Sequence, residues 1–168
     1  MEYFAPEIKP FINEEWFMKE WIENINSNFY NFVDNLPEDF YEKRKIGEND
    51  EKICQLIQKD SIKDFIVHVH KNSNNLNSSI NPSIYETNIF LLKNEGIQLI
   101  EYAAFHGSFQ IFNYLKLNGV EMSPSLWLYA IHGQNSEIIT LLNDNKINPI
   151  DESYRECLKE SIKCHHND

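Results

Sequence analysis

The chain reads LIEYAAFHGSFQIFNYL over residues 99–115 and LWLYAIHGQNSEIITLL over residues 126–142, and the second stretch nearly repeats the first. The two stretches align at an offset of 27 residues, so that Tyr102 falls on Tyr129. Self-similarity at a fixed period is typical of stacked supersecondary units, because one such unit cannot bury its apolar face alone. The repeat therefore predicts an array of short helix pairs.

Glycine, serine and proline residues mark the turns and ends of these helices. Gly107 permits a tight turn between antiparallel helices, and Ser108 and Ser136 are placed to cap the second helix of their units. Ser123 and Pro124 begin the next unit as N-cap and first helical residue. We expect a helical N-terminal cap over residues 1–47, followed by repeat units. The predicted units are 48–72, 97–119, 123–146 and an incomplete one at 151–168, and residues 82–96 form an irregular stretch between the first two.

The N-terminal cap is predicted from an aromatic stripe at helical spacing. A helix from Asn13 to about Val33 would carry on one face Phe17, Trp21, Ile25, Phe29 and Phe32. Pro37 begins a second short helix that Gly47 ends. A stripe this bulky needs a surface to cover, and we expect it to cover the first face of the array. Docking onto a partner is the alternative.

The remaining elements follow the same helical periodicity. A helix pair is predicted over 50–58 and 61–71, a polar loop over 71–81, and a helix that begins at Pro82 and ends near Gly96. Asp151 caps a last helix that has no mate before Asp168. We therefore expect the chain to be a fragment of a longer array or to fray at its end.

Composition restricts the class of partner. The net charge is −11 and the pI is near 4.9, which argues against nucleic acid or an anionic membrane surface. The sequence contains no apolar stretch that approaches a membrane span, and its start shows no basic region followed by an apolar run. The three cysteines form no disulfide framework, so we expect a reduced, intracellular protein of the cytoplasm, with the nucleus as an open alternative.

The repeat resembles the ankyrin family. Residues 99–108 are similar to the signature Thr-Pro-Leu-His-x-Ala-Ala-x-x-Gly-His, although Leu99 stands where the family has Pro and Glu101 where it has His. The period of 27 is shorter than the ~33 of ankyrin repeats, and the missing residues remove most of the projecting hairpin. The resemblance implies an all-α fold, a short ankyrin-like helical-repeat solenoid.

Longer stretches are similar to one divergent ankyrin group, the DUF3447-type proteins that are expanded in a parasitic protist. The matching stretches are EYAAFHGS at 101–108, YLKLNGVE at 114–121, SLWLYAIH at 125–132, CLKESIKCHH at 157–166 and NLPEDFYE at 35–42. In such proteins more regular ankyrin repeats follow this segment. The resemblance implies a module that binds another protein and performs no catalysis, and it supplies no catalytic residues.

The candidate contact residues lie on the concave side that ankyrin arrays use for binding: Phe105, His106, His132 and Lys163. For His106 and His132 the plainest interpretation is that a helix-terminal histidine interacts with backbone carbonyls. The sequence has no phosphate-binding glycine loop, no Gly-x-Ser-x-Gly and no His-Glu-x-x-His, so we expect no enzyme, no cofactor and no small-molecule substrate.

Two alternatives to partner recognition stay open. Residues 1–168 would act as a structural N-terminal cap if binding were done by repeats further along the chain. A metal-binding or enzymatic domain would instead use Cys157, Cys164 and His165, whose helical spacing allows three ligands to converge. We expect no metal there, because structural zinc ligands are normally paired across two elements and Cys157 lies beside the predicted buried stripe.

Overall fold

A computed structural model describes residues 36–164, and the predicted cap helix from Asn13 to Val33 lies outside them. Every regular element within these residues is an α-helix, which confirms the all-α class. One isolated antiparallel bridge joins Ser79 to Gln98. The helices are α1 (Phe40–Ile46), α2 (Lys52–Gln58), α3 (Ile62–Asn72), α4 (Ile89–Lys93), α5 (Leu99–Phe105), α6 (Phe109–Leu117), α7 (Leu126–Gly133), α8 (Ser136–Asp144) and α9 (Arg155–Lys163). None of them is both long and apolar enough to cross a membrane.

The helices pack in two rows. The first helix of each pair contacts the first helix of the next, so that α2 packs on α5, α5 on α7 and α7 on α9. The second helices form a parallel series in which α3 contacts α6 and α6 contacts α8. Within each pair α2 packs on α3, α5 on α6 and α7 on α8. Helix pairs that follow each other along the chain are therefore also packed against each other.

One continuous buried cluster runs through these rows. Ala103 and Ala130 are both almost completely buried in it, together with large side chains such as Phe112 and Leu142. The units approach closely at their turns, because a Cβ at Gly133 would clash with the carbonyl oxygen of Ala104. Small residues at these positions therefore set the distance between α5 and α7.

The start of α6 is held by the preceding pair, which corrects the prediction for Ser108. The hydroxyl of Ser108 makes no cap and instead donates to the buried carbonyl oxygen of Ile57. The carboxylate of Asp60 accepts the amides of Gln110 and Ile111 at 3.0 and 2.9 Å. Cap and helix thus belong to different pairs, and the turn of one pair stabilises the next.

The turn before α8 shows the same exchange between pairs. Asn135, and not the predicted Ser136, is the N-cap of α8, and its side-chain oxygen accepts the amides of Glu137 and Ile138. The amide nitrogen of the same side chain donates to the carbonyl oxygen of Gly107 at 2.9 Å. One side chain therefore caps its own helix and ties two successive pairs together.

The predicted helix from Pro82 to Gly96 is wrong in its first half, because α4 begins only at Ile89. The guanidinium of Arg44 donates to the carbonyl oxygens of Ile84 and Glu86 at 2.9 and 2.7 Å, so these oxygens are held by α1 and not by a helical ladder. Asn88 then caps α4 through the amides of its first turn. The result places Phe90 over the ends of α5 and α7.

Candidate functional site

A groove of about 900 Å³ runs along one face of the first-helix row. All four residues predicted to contact a partner line it: Phe105, His106, His132 and Lys163. They come from the end of α5, the last turn of α7 and the end of α9. The opposite wall is formed by α4 and the residues before it, including Phe90 and Asn88. The structure therefore brings the predicted residues together, and their role in partner binding stays a prediction.

An aromatic stack forms the centre of the groove. The ring centroids of His132 lie 4.2 Å from Phe90 and 5.0 Å from Phe105, and the Phe90 and Phe105 rings are nearly parallel at 6.0 Å. Phe105 and His132 are 27 residues apart and so occupy the same position in successive units. Contact between equivalent residues is what a stack of repeated units produces.

A hydrogen-bonded chain of side chains joins α7 to α9 among the residues that line the groove. Nε2 of His132 lies 3.1 Å from Oε1 of Glu160, and both side chains are only 12–13% exposed. The other oxygen, Oε2, accepts from Nζ of Lys163 at 2.7 Å. Burial alone raises the pKa of Glu160, but the hydrogen bonds from Lys163 and His132 outweigh it, and the net pKa is lowered. Glu160 is therefore held as a carboxylate between two basic side chains.

Cys164 completes a three-residue cluster with this pair. Its Sγ lies 3.4 Å from Nδ1 and 3.7 Å from Nε2 of His132. Burial and the nearby charge of Glu160 raise the pKa of the Cys164 thiol. Within residues 36–164, His132, Glu160 and Cys164 form the group in which three potential metal-ligand atoms lie within 4.8 Å of one another.

His106 is packed beside the stack in a different environment. Its ring makes edge contacts with Tyr102 and Phe105 at centroid distances of 4.5 and 5.0 Å. The buried Nε2 atom has no hydrogen-bond partner, so this nitrogen does not make the predicted contact with a backbone carbonyl. Burial lowers the pKa of His106 to about 4, which keeps the ring neutral at neutral pH.

The structure separates the cysteines of the metal alternative. Cys157 is buried in the apolar cluster, Cys164 faces His132, and His165 lies outside the described residues. Sequence reasoning missed Glu160, although its spacing of four from Cys164 places both on one helical face. It also missed Phe90, for which the sequence carries no signal, because the irregular segment before α4 decides its position.

Comparison of the chain with protein-family models, with curated proteins and with solved structures finds no match in any of the three. The resemblance to ankyrin proteins therefore depends on the residues quoted above, and the functional interpretation depends on the groove.

Proposed function

We propose that this chain is a non-enzymatic, ankyrin-like module of the cell interior that binds a segment of a partner protein in the groove between α4 and the ends of α5, α7 and α9. The serial contacts of first helices with first helices support a short solenoid, because each described pair packs on the next one along the chain. The three free thiols are compatible with a reduced compartment.

The observation that carries the proposal is the convergence of Phe105, His106, His132 and Lys163 on one groove. Binding energy at protein interfaces is concentrated in a few aromatic and charged anchors on a rigid surface. The groove offers both kinds of group, with the Phe90–Phe105 pair at its centre and the Nζ of Lys163, a side chain 70% exposed, at its edge. A volume of this size suits a few side chains of a protein segment.

The chemistry of Cys164 supports recognition over catalysis. A nucleophilic cysteine needs a lowered pKa, which a neighbouring positive charge or a helix N-terminus supplies. Cys164 instead follows the C-terminal end of α9, and burial and the Glu160 carboxylate raise its pKa. The thiol is thus held in the form that is a poor nucleophile.

The proposal is tested by quantitative affinity capture from cells that express the chain, using variants paired with matched controls. Lys163 and Lys159 both belong to α9, and each bonds a glutamate three residues earlier, but only Lys163 lines the groove. Phe105 in the groove has a partly buried counterpart in Phe109, which lies outside it. Each variant is first checked for folding by circular dichroism.

We expect Phe105→Ala and Lys163→Ala to lose proteins that Phe109→Ala and Lys159→Ala retain. Loss of an aromatic anchor worth about 2 kcal/mol lowers affinity by about 30-fold. Capture of the same proteins, in the same amounts, by all four variants would show that the groove is not the binding surface.

A second candidate function is a structural one, in which this segment caps a longer helical array. The outer face of α9 favours it, since Leu158 and Ile162 are 62% and 63% exposed. An apolar face of that kind is normally covered by the next unit of a stack. The two functions separate in a capture experiment with a chain extended by further helix pairs. Partners found only with the longer chain, and unaffected by Phe105→Ala, would favour the cap.

A further inference from the structure

The side chains of His132, Glu160 and Cys164 present three different metal-ligand atoms to one point between α7 and α9. Nε2 of His132 lies 3.1 Å from Oε1 of Glu160 and 3.7 Å from Sγ of Cys164. All the ligand atoms lie within 4.8 Å of one another. Imidazole, carboxylate and thiolate are the three protein ligands that Zn²⁺ uses.

The two separations measured from Nε2 of His132 are close to those around one tetrahedral zinc ion. With Zn–N and Zn–O near 2.0 Å and Zn–S near 2.3 Å, tetrahedral angles place nitrogen about 3.3 Å from oxygen and about 3.5 Å from sulfur. The distances of 3.1 and 3.7 Å observed here differ from these values by about 0.2 Å or less. Sγ also lies 3.4 Å from Nδ1 of His132, so the Cys164 side chain must turn towards the Nε2 lone pair before all three atoms can bind one ion.

The surrounding residues hold the ligands in orientation. The ring of His132 is fixed by its contacts with Phe90 and Phe105. Lys163 occupies Oε2 of Glu160, which leaves Oε1 directed at the histidine. Supporting contacts of this kind position metal ligands in proteins.

We propose that His132 Nε2, Glu160 Oε1 and Cys164 Sγ bind one Zn²⁺ ion. The thiol of Cys164 releases its proton to solvent when it becomes a ligand. All three residues line the groove, so the fourth position of the ion is open to water or to a donor atom of a molecule bound there. The ion joins the end of α7 to the end of α9, and its binding stabilises that contact independently of any partner.

The site differs from the metal alternative based on the sequence. Cys157 is 7% exposed within the apolar cluster and is not among the ligands proposed here. Only Cys164 is common to the two sets, and the other two ligands of the proposed site were not predicted as metal ligands. The proposed set also spans two helices, as zinc sites normally do.

The test uses the full chain without a histidine tag, stripped with a chelator and titrated with Zn²⁺ in a calorimeter. We expect one ion per chain and an increase in melting temperature on zinc addition. His132→Gln, Glu160→Gln and Cys164→Ser should each weaken Zn²⁺ binding by at least about tenfold, since even supporting residues of metal sites have effects of that size. The matched controls are Glu156→Gln on the same helix and His70→Gln on α3, both exposed, and they should bind as the wild type does.

Cobalt provides a second measurement that does not depend on stability. A Co²⁺ complex of the chain should show a thiolate-to-metal absorption band that Cys164→Ser removes while circular dichroism shows the variant folded. Failure of the folded wild-type chain to bind Zn²⁺ would overturn the proposal. Undiminished Zn²⁺ binding by His132→Gln and Glu160→Gln would also overturn it. The same holds if replacement of His165 and His166 abolishes binding while these two variants still bind Zn²⁺.

Discussion

Replacement of Gly133 by alanine tests how closely the helix pairs are stacked. The added Cβ would lie 2.7 Å from the amide nitrogen of Gly107, which is 0.7 Å short of ordinary contact, and closer still to the carbonyl oxygen of Ala104. Both neighbours are backbone atoms that no rotamer change can move. The α5 and α7 turns must therefore separate, and a gap of 0.5–1 Å forfeits about a quarter to a half of the dispersion energy across a contact.

The expected change in stability is opposite to that of a glycine-to-alanine substitution at an uncrowded helical site. Gly to Ala in a helix normally gains up to about 1 kcal/mol, whereas overpacking of this kind costs about 1–3 kcal/mol. We expect Gly133→Ala to lose about 1–3 kcal/mol of unfolding free energy and to melt about 3–10 °C lower. The assay is urea and thermal unfolding followed by far-UV circular dichroism.

Gly119→Ala is the control for backbone strain without a clash. A Cβ there meets no atom within 4 Å, but the residue has φ +81°, so the cost is that of the left-handed backbone alone, about 1 kcal/mol. Gly133 has no such backbone conformation, and its loss must come from contact between the pairs. A Gly133→Ala variant as stable as the wild type, or more stable, would refute the close stacking of α5 on α7.

Three further substitutions test other contacts. Asp60→Gly keeps a residue suited to φ +46° but removes the cap of α6, and it should cost about 1 kcal/mol in urea unfolding, with Asp60→Asn closer to the wild type. Burial lowers the pKa of His106 to about 4, so between pH 6.5 and 4 the unfolded chain binds a proton at this residue that the folded chain does not. About 3 kcal/mol of unfolding free energy should therefore be lost as the pH falls from about 6.5 to 4. His106→Gln should remove this acid sensitivity in unfolding curves measured at each pH. Arg44→Met should lower the free energy of unfolding by about 2–3 kcal/mol, because the carbonyl oxygens of Ile84 and Glu86 lose their guanidinium donor. It should also speed hydrogen exchange at the Thr87 amide, which donates to the carbonyl oxygen of Gly47. Unchanged exchange would show that Arg44 does not hold this segment in place.

The sequence by itself determined the helical elements of the repeated region. Periodic apolar residues and turn glycines act within a few positions along the chain, so α5, α6, α7 and α8 follow from local chemistry. The predicted start of α7 was wrong, because the helix begins at Leu126 with Ser125 as its N-cap and not at Pro124 after Ser123. The juxtaposition of Phe105 with His132 also follows from the repeat, because both occupy the same position of successive units. That part of the groove was predictable without coordinates.

Only the tertiary structure decided the contacts between distant segments. Ser108 looks like a local cap, yet it bonds Ile57, 51 residues earlier, because the packing of one pair on the next brings that buried carbonyl within reach. His132 meets Glu160 across 28 residues and Cys164 across 32 for the same reason. Hydrogen bonds and ion pairs of this kind depend on how helices are placed against each other, which local propensity does not encode.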